Sequence, residues 1–383
     1  MTEVLFLIDQ VHAPGGLQRT LALRLKSLVS GQFKVRIIVP GFPAGAPFYD
    51  GFKGIEISYL NIEYDPSKAL YSPRNIFRGL LHFKELWKLV EKENSCILIN
   101  TTYGFETYFL PFIKLFAGTK IIHEHHCSRK YERKIGRGNC RKSLSLIVRT
   151  LFEGFYDLQV VLSVEESQEF PKASTVVIPN PGHQNSAVKK PQKKSGLMKQ
   201  DGKLPVIWVG RIVPIKGLER LLKSWAILNK KKDHNAVLHI IGSGEPHYVK
   251  ELEALVDQLC ISKSVVFLGE QKNTAVLMAE AYLHVVTSHS ECFPMSILEA
   301  MSAGVPTVAM DCDTGPRNLI AHGRDGLLVA EDESEFASAI LRALANTCLR
   351  DSLSDMARRR AQLFSPEVVA RKWTVVLQEI SAG

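Results

Sequence analysis

The feature that most constrains this chain is a repeated alternation. Short apolar runs are each followed by a polar or glycine-containing turn, and most of those turns lead into a helix-period segment. Val4-Leu5-Phe6-Leu7-Ile8 is the first run. Val35 to Val39, Ile55 to Leu60, Cys96 to Asn100, a run opening at Lys120-Ile121-Ile122, and Leu158 to Ser163 follow. Runs that do not alternate with polar residues suit strands covered on both faces, as in a parallel sheet. A second series opens at Pro205 to Val209 and continues through Leu238 to Ile241, Val265 to Gly269, Val285-Val286, Thr307 to Ala309 and Gly326 to Val329. Strands alternating with helices predict an α/β chain of two Rossmann-like domains with parallel sheets, with ligands beyond the carboxyl ends of the strands.

A length of 383 residues exceeds a single core and also predicts two domains. Residues 184 to 203 are rich in Lys, Gln and Ser without periodicity. They divide the chain into a first domain at 1–182, a linker at 183–203, a second domain at 204–365 and a closing helix at 366–383. Among the helical segments, Asn75 to Glu93 places Ile76, Leu80, Phe83, Trp87 and Val90 on one stripe, which is expected to pack on the sheet. Seven cysteines without C-x-x-C spacing argue against a zinc site or a disulfide framework and fit a reducing cytoplasm. No basic n-region or cleavage site precedes the first strand. The longest apolar stretch, near Tyr108 to Ala117, is too short to span a bilayer and contains Lys114. Membrane association is therefore expected to be peripheral. The formal net charge of +9 points to an anionic partner, and no nucleic-acid-binding motif accompanies it.

The stretch from Val285 to Gly304 carries the densest chemistry. A strand end leads through Ser288-His289-Ser290-Glu291 to Phe293-Pro294 and a helix containing Glu299. Backbone N–H groups of a first helical turn, here around Met295, Ser296 and Ile297, favour negative charge. With Glu291 and Glu299 as acceptors, such a site suits a phosphorylated, hydroxyl-rich ligand such as a sugar nucleotide; the bland alternative is a surface Glu and a capped helix. Upstream, Arg211 and Lys216 lie five apart between a strand and a helix, a spacing that can clamp a diphosphate. Gly15-Gly16 either lets backbone approach a phosphate or only shapes a tight turn. His123-Glu124-His125-His126 sits at a strand end without a remote partner set, so no metal is expected there. Between Ser128 and Arg149, the cations Arg129, Lys130, Arg133, Lys134, Arg137, Arg141, Lys142 and Arg149 face one acid, Glu132. This run is either a solvated face or a dock for a lipid diphosphate or anionic headgroups.

Glu291-x7-Glu299 followed by Ala300-Met301-x-Ala303-Gly304-Val305-Pro306, together with Gly210-Arg211-x4-Lys216-Gly217, resembles the retaining glycosyltransferase family 4 of GT-B fold, which includes bacterial lipopolysaccharide enzymes. The resemblance covers most of the chain and is tight in the second domain. It implies two sheets facing a central cleft, a last helix crossing back to the first domain, and sugar transfer with retention from a nucleotide-diphosphate donor, with a UDP-sugar expected. The implied acceptor is a glycan or a polyprenyl- or other lipid-linked glycan, at the inner face of the cell membrane. No cofactor or metal is implied, because Arg211 and Lys216 stand at the diphosphate. His125, with His126 and His123 as alternatives, and Glu291 are the implied catalytic pair. Glu299 would hold the ribose; Gly15, Gly16, Gly242, Leu268 and the backbone from Phe293 through Met295, Ser296 and Ile297 would complete the donor site. Two departures stand out: Cys292 where the family commonly has Gly, expected in an ordinary conformation, and Gln18 where an acid is often found. A sugar-nucleotide epimerase, a phosphorylase, or a catalytically silent sugar-nucleotide or membrane-binding partner are the alternative readings on this fold.

Overall fold

The computed structural model describes residues 2–13, 15–28, 33–65, 67, 72–92, 96–136, 140–170, 173–182, 202–231, 234–312 and 314–382, with side chains from 143 onward in the helix that opens at 140. The chain forms two compact units, Met1–Pro181 with Pro366–Gly383, and Gly182–Ser365. The linker read at 183–203 lies outside the described residues up to 201.

The first unit runs β1 (Glu3–Leu7), α1 (Gly16–Leu28), β2 (Lys34–Val39), β3 (Glu56–Tyr59), α2 (Pro73–Glu91), β4 (Cys96–Asn100), α3 (Glu106–Ala117), β5 (Lys120–Glu124), α4 (Arg129–Gly136), α5 (Cys140–Glu153), β6 (Leu158–Val161), α6 (Val164–Ser167) and β7 (Thr175–Val177). Its sheet has the order β3-β2-β1-β4-β5-β6-β7, and every pairing is parallel. Side chains alternate across a strand. Val4 and Phe6 therefore join the core beneath α1, whereas Leu5 and Leu7 join the one beneath α2 and α3.

The second unit runs β8 (Leu204–Val209), α7 (Leu218–Lys230), β9 (Ala236–Ile241), α8 (Pro246–Gln258), β10 (Val265–Gly269), α9 (Thr274–Glu280), β11 (Leu283–Val286), α10 (Met295–Ala303), β12 (Thr307–Met310), α11 (Pro316–Leu319), β13 (Leu327–Val329), α12 (Glu333–Ala345) and α13 (Thr347–Ala361). The sheet order is β10-β9-β8-β11-β12-β13, again parallel throughout. Val206 and Trp208 pack with α7, α8 and α12, while Ile207 and Val209 pack with α9 and α10. From Pro366 the chain rejoins the first unit as α14 (Pro366–Ala382), with Val369, Trp373 and Leu377 in the same core as Val4 and Phe6.

One helix departs from the sequence reading. In α2 the buried positions are Asn75, Gly79, His82, Leu86 and Val90, so the stripe is rotated by about one residue and Ile76 and Leu80 face outward. The rotation has a polar cause. His82 is fully buried and bonds the Tyr64 hydroxyl at 2.9 Å, and Asn75 is tied to the backbone of Asp65. The apolar stretch near Tyr108 is the helix α3, which contains Pro111 and ends at Gly118 in the left-handed conformation.

Within the second sheet, His284 on β11 is fully buried, and its Nδ1 lies 3.1 Å from the Thr307 hydroxyl on β12. Burial pushes its pKa down to about 3. The unfolded chain titrates near 6.5 and so takes up this proton first as pH falls. The stabilising contribution of the neutral imidazole is complete above pH 6.5 and is lost toward pH 3, at about 1.4 kcal/mol per pH unit. Relative to a His284→Gln variant, the wild type is expected to lose stability more steeply between pH 6.5 and 4. Urea titrations at a series of pH values would read the two slopes, and parallel slopes would refute the assignment.

Candidate functional site

In a doubly wound sheet, the loops on either side of the strand where the order reverses leave a crevice at the carboxyl ends. In the second unit, β8 and β11 flank that point. The loop after β8 carries Gly210, Arg211 and a 3-10 turn, Pro214–Lys216. Gly217 then starts α7 with φ 63°, and a Cβ there would lie 2.2 Å from the Thr287 carbonyl oxygen. Only glycine permits this contact between the β8 and β11 loops.

The contact brings Lys216 and Glu291 together, 75 residues apart in sequence. Lys216 Nζ donates to Glu291 Oε1 at 2.6 Å, and the Ser288 hydroxyl donates to the same oxygen at 2.6 Å. The Thr314 hydroxyl, in the loop after β12, donates to the Glu291 carbonyl oxygen. Three strand-end loops therefore meet at Glu291. Arg220, on the first turn of α7, braces them, with its guanidinium donating to the carbonyl oxygens of Thr287 and Ser288 and to Glu331. Sequence reading missed Arg220 and gave Ser288 no role of its own. A cation between the buried Leu218 and Leu221 is the signal that singles out Arg220.

The other second-unit candidates surround this centre to different degrees. Arg211 is exposed, with no ion-pair partner among the described residues. The helix α10 opens just after Pro294, one residue later than the sequence suggests, and Ile297 N–H already donates to the Pro294 carbonyl oxygen at 3.1 Å. Met295 and Ser296 are half-buried; Phe293 is buried edge-on against Phe364. Glu299 is buried just over one turn into α10. Gly242, with φ 145°, packs where a Cβ would lie 1.8 Å from the Gly210 carbonyl oxygen, so loop-to-loop packing alone accounts for this glycine. The Leu268 carbonyl accepts from the Gln271 side chain at 2.6 Å. Cys292 is not among the non-glycine residues with positive φ, which among the described residues are Asn61, Cys260 and Thr314.

In the first unit the reversal lies between β1 and β4. Gly15 takes a weak 3.4 Å bond to the Tyr49 hydroxyl, and its carbonyl accepts from Arg19 N–H. A Cβ at Gly15 would collide with the Gln18 side chain, whereas the space above Gly16, where α1 begins, is open.

His125, expected at the sugar, is enclosed by its surroundings. It is 1% exposed, its Nε2 lies 2.7 Å from Gln159 Oε1, and its ring packs on His123 and Phe170. Burial, with help from His123 and Arg129, holds its pKa well below the usual histidine range. The ring is therefore neutral and enclosed within the unit. His123 is equally buried, while His126 keeps a partly open side chain 3.3 Å from Glu124. His123, His125 and Glu153 bring donor atoms within 4.8 Å of one another. However, Arg129 and Arg149 already hold Glu153, and two guanidinium charges oppose a metal cation there.

The basic segment divides into paired and exposed cations. Arg129 is buried, paired with Glu153 and stacked over Phe170. Arg133 pairs with Glu169, and Arg149 with Glu132. These three arginines fasten α4 and α5 to the unit. Lys130 and Lys134 are exposed; Arg137 and the side chains of Arg141 and Lys142 lie outside the described residues. A further pair, absent from the sequence reading, joins Arg24 on α1 to Glu124 on β5 by two bonds of 2.7 and 2.8 Å.

Two Rossmann-like units with parallel sheets and convergent strand-end loops define the GT-B class of protein. A protein solved from Anabaena in complex with UDP and glucose has this fold, with a TM-score of 0.78 and 21% identity over 99% of this chain and 100% of that one. Residues 189–360, which include most of the second unit, match the family described as Glycosyl transferases group 1. An uncharacterized glycosyltransferase of Haemophilus influenzae is 25% identical across 98% of this chain and 100% of its own length. An exopolysaccharide phosphotransferase of Streptomyces coelicolor is 33% identical over 46% of this chain, which spans 18% of that protein.

Proposed function

We propose that this protein is a glycosyltransferase of the GT-B class. It moves a sugar, with retention of anomeric configuration, from a nucleotide-diphosphate donor to a glycan or lipid-linked acceptor in surface-polysaccharide assembly, at the inner face of the cell membrane. The observation that carries the reading is the meeting of Lys216 and Glu291 at the sheet reversal of the second unit. One loop presents a cation, the next a carboxylate, and the exposed Arg211 adds a second cation on the same loop as Lys216. That combination suits a diphosphate whose charge grows as the sugar leaves. Arg211 and Lys216 supply the positive charge that a divalent ion supplies in other transferases, so the reaction needs no metal. Glu291 serves the sugar, and Glu299 the ribose hydroxyls. The UDP and glucose of the Anabaena structure support a UDP-sugar as donor.

The test is a panel of radiolabelled UDP- and GDP-sugars offered with membrane lipid extract, with and without chelator. Transfer from one UDP-sugar, unaffected by chelator, is the expected result. Neither transfer nor hydrolysis with any donor would remove the reading. Activity lost to chelator and restored by a divalent metal would remove its metal-free part.

A further inference from the structure

The loop after β12 holds a backbone conformation that its residue resists. Among the described residues other than glycine, positive φ occurs at Asn61, Cys260 and Thr314. Asparagine tolerates that region, and Cys260 is an exposed residue just past the last turn of α8, a place where helices commonly turn left-handed. Thr314 is different. Its φ is 63°, its side chain is branched at Cβ, and it is only 5% exposed. A β-branched residue in this region is strained, and such residues persist where the surrounding contacts fix them, most often at functional sites.

What Thr314 meets is Glu291. Its hydroxyl donates to the Glu291 carbonyl oxygen. Gly315 follows at φ 51°, and a Cβ there would lie 2.4 Å from Glu291 Cβ, so this turn lies directly against Glu291. The carboxylate of the same residue is held from another side. Lys216 Nζ and the Ser288 hydroxyl both donate to Oε1 at 2.6 Å, while Oε2 receives no hydrogen bond among the described residues. The side chain is 12% exposed, so Oε2 is the oxygen left for a ligand. With its main chain pinned and one oxygen fixed, the carboxylate is preorganised to accept from a single hydroxyl.

We propose that Thr314 is a positioning residue for the donor sugar: its hydroxyl pins the Glu291 main chain, in spite of a strained backbone, so that the free Oε2 is held toward one sugar hydroxyl. This role rests on the functional reading above, in which Glu291 serves the sugar while Arg211 and Lys216 serve the diphosphate. Glycine at position 314 takes φ 63° without strain but has no hydroxyl to donate. Folding stability and sugar recognition therefore respond differently to that change.

Calorimetric titration of the full chain with a panel of UDP- and GDP-sugars, beside UDP and GDP, tests it without an acceptor. The wild type is expected to bind one of the sugar nucleotides. Thr314→Gly should bind that sugar nucleotide about tenfold more weakly, the effect of losing one hydrogen bond to a charged group, and the bare nucleotide equally well. Its melting temperature should stay within about 3 °C of the wild type, because relief of strain offsets the lost bond. Thr314→Ser keeps the hydroxyl and should retain most of the sugar's contribution. In a Glu291→Ala background, Thr314→Gly should have no further effect, since the carboxylate it acts through is gone. Equal weakening toward the sugar nucleotide and the bare nucleotide, a full effect in the Glu291→Ala background, or a Thr314→Gly variant that binds like the wild type would each overturn the proposal. Wild type that binds none of the sugar nucleotides would instead remove the functional reading, and this role with it.

Discussion

Replacing Lys216 with methionine is expected to lower the rate of sugar transfer by about 10²–10³-fold, the usual cost of removing one preorganised group from a developing charge. Lys216 Nζ sits at the end of a short 3-10 turn and touches Glu291 in a neighbouring loop, so its position is fixed by two strands and not by a flexible stem alone. Methionine keeps the packing of the stem and removes the charge. If Lys216 acts on the leaving diphosphate, the loss falls mainly on kcat, because that charge is greatest in the transition state. Lys216→Arg should recover part of the rate, since it restores charge without the same geometry. Initial rates against donor concentration check the split. A methionine variant that retains more than a tenth of wild-type kcat would end the assignment.

The second large effect lies in the first unit and concerns stability. The Arg24–Glu124 pair is almost fully buried, with each side chain 2% exposed, and Arg24 stacks over Trp373 at 4.3 Å. Burial opposes the charge on Glu124, yet the Arg24 guanidinium and His126 hold its pKa well below the usual carboxylate range. Arg24→Met strands an ionised carboxylate in the core and is expected to destabilise the unit by about 3–5 kcal/mol. Arg24→Met/Glu124→Leu removes both charges and should recover most of that loss, because a buried pair often contributes little beyond its apolar replacement. Calorimetry of the two variants and the wild type decides the point. A double variant no more stable than Arg24→Met would mean that the packing around Trp373, and not the charge, governs the site.

The strand-end chemistry of the second unit was legible because it is local. Gly210-Arg211 with Lys216-Gly217, and Glu291 with Glu299, announce two loops within short strings, and parallel pairing of β8 with β11 brings those loops together. What escaped depends on partners far away in sequence. Arg129 reads as one more cation in a basic run, and its burial follows from Glu153 and Phe170, 24 and 41 residues on. The enclosure of His125 likewise comes from Gln159 and Phe170, which no local string announces. The rotation of α2 has the same origin. Apolar periodicity chose Ile76 and Leu80 for the core, but the bond between His82 and Tyr64 turned a histidine inward and two aliphatic residues outward. A hydrophobic stripe reports the core only where every strongly apolar position is needed there, and this helix carries apolar residues on both sides.

The placement of α14 sets an order of events during synthesis. Trp373 is fully buried and packs beneath Arg24, beside strands formed by the first forty residues. The second unit, Gly182–Ser365, is continuous in sequence and has all its own strands and helices before α14 is made. The ribosome adds roughly 5–20 residues per second, so the earliest strands to emerge wait tens of seconds for the helix that seals them. During that interval the apolar floor on which Trp373 will sit, including Phe6 and Leu21, is open to water and to other nascent chains. The first unit is therefore completed only after every strand and helix of the second has been made.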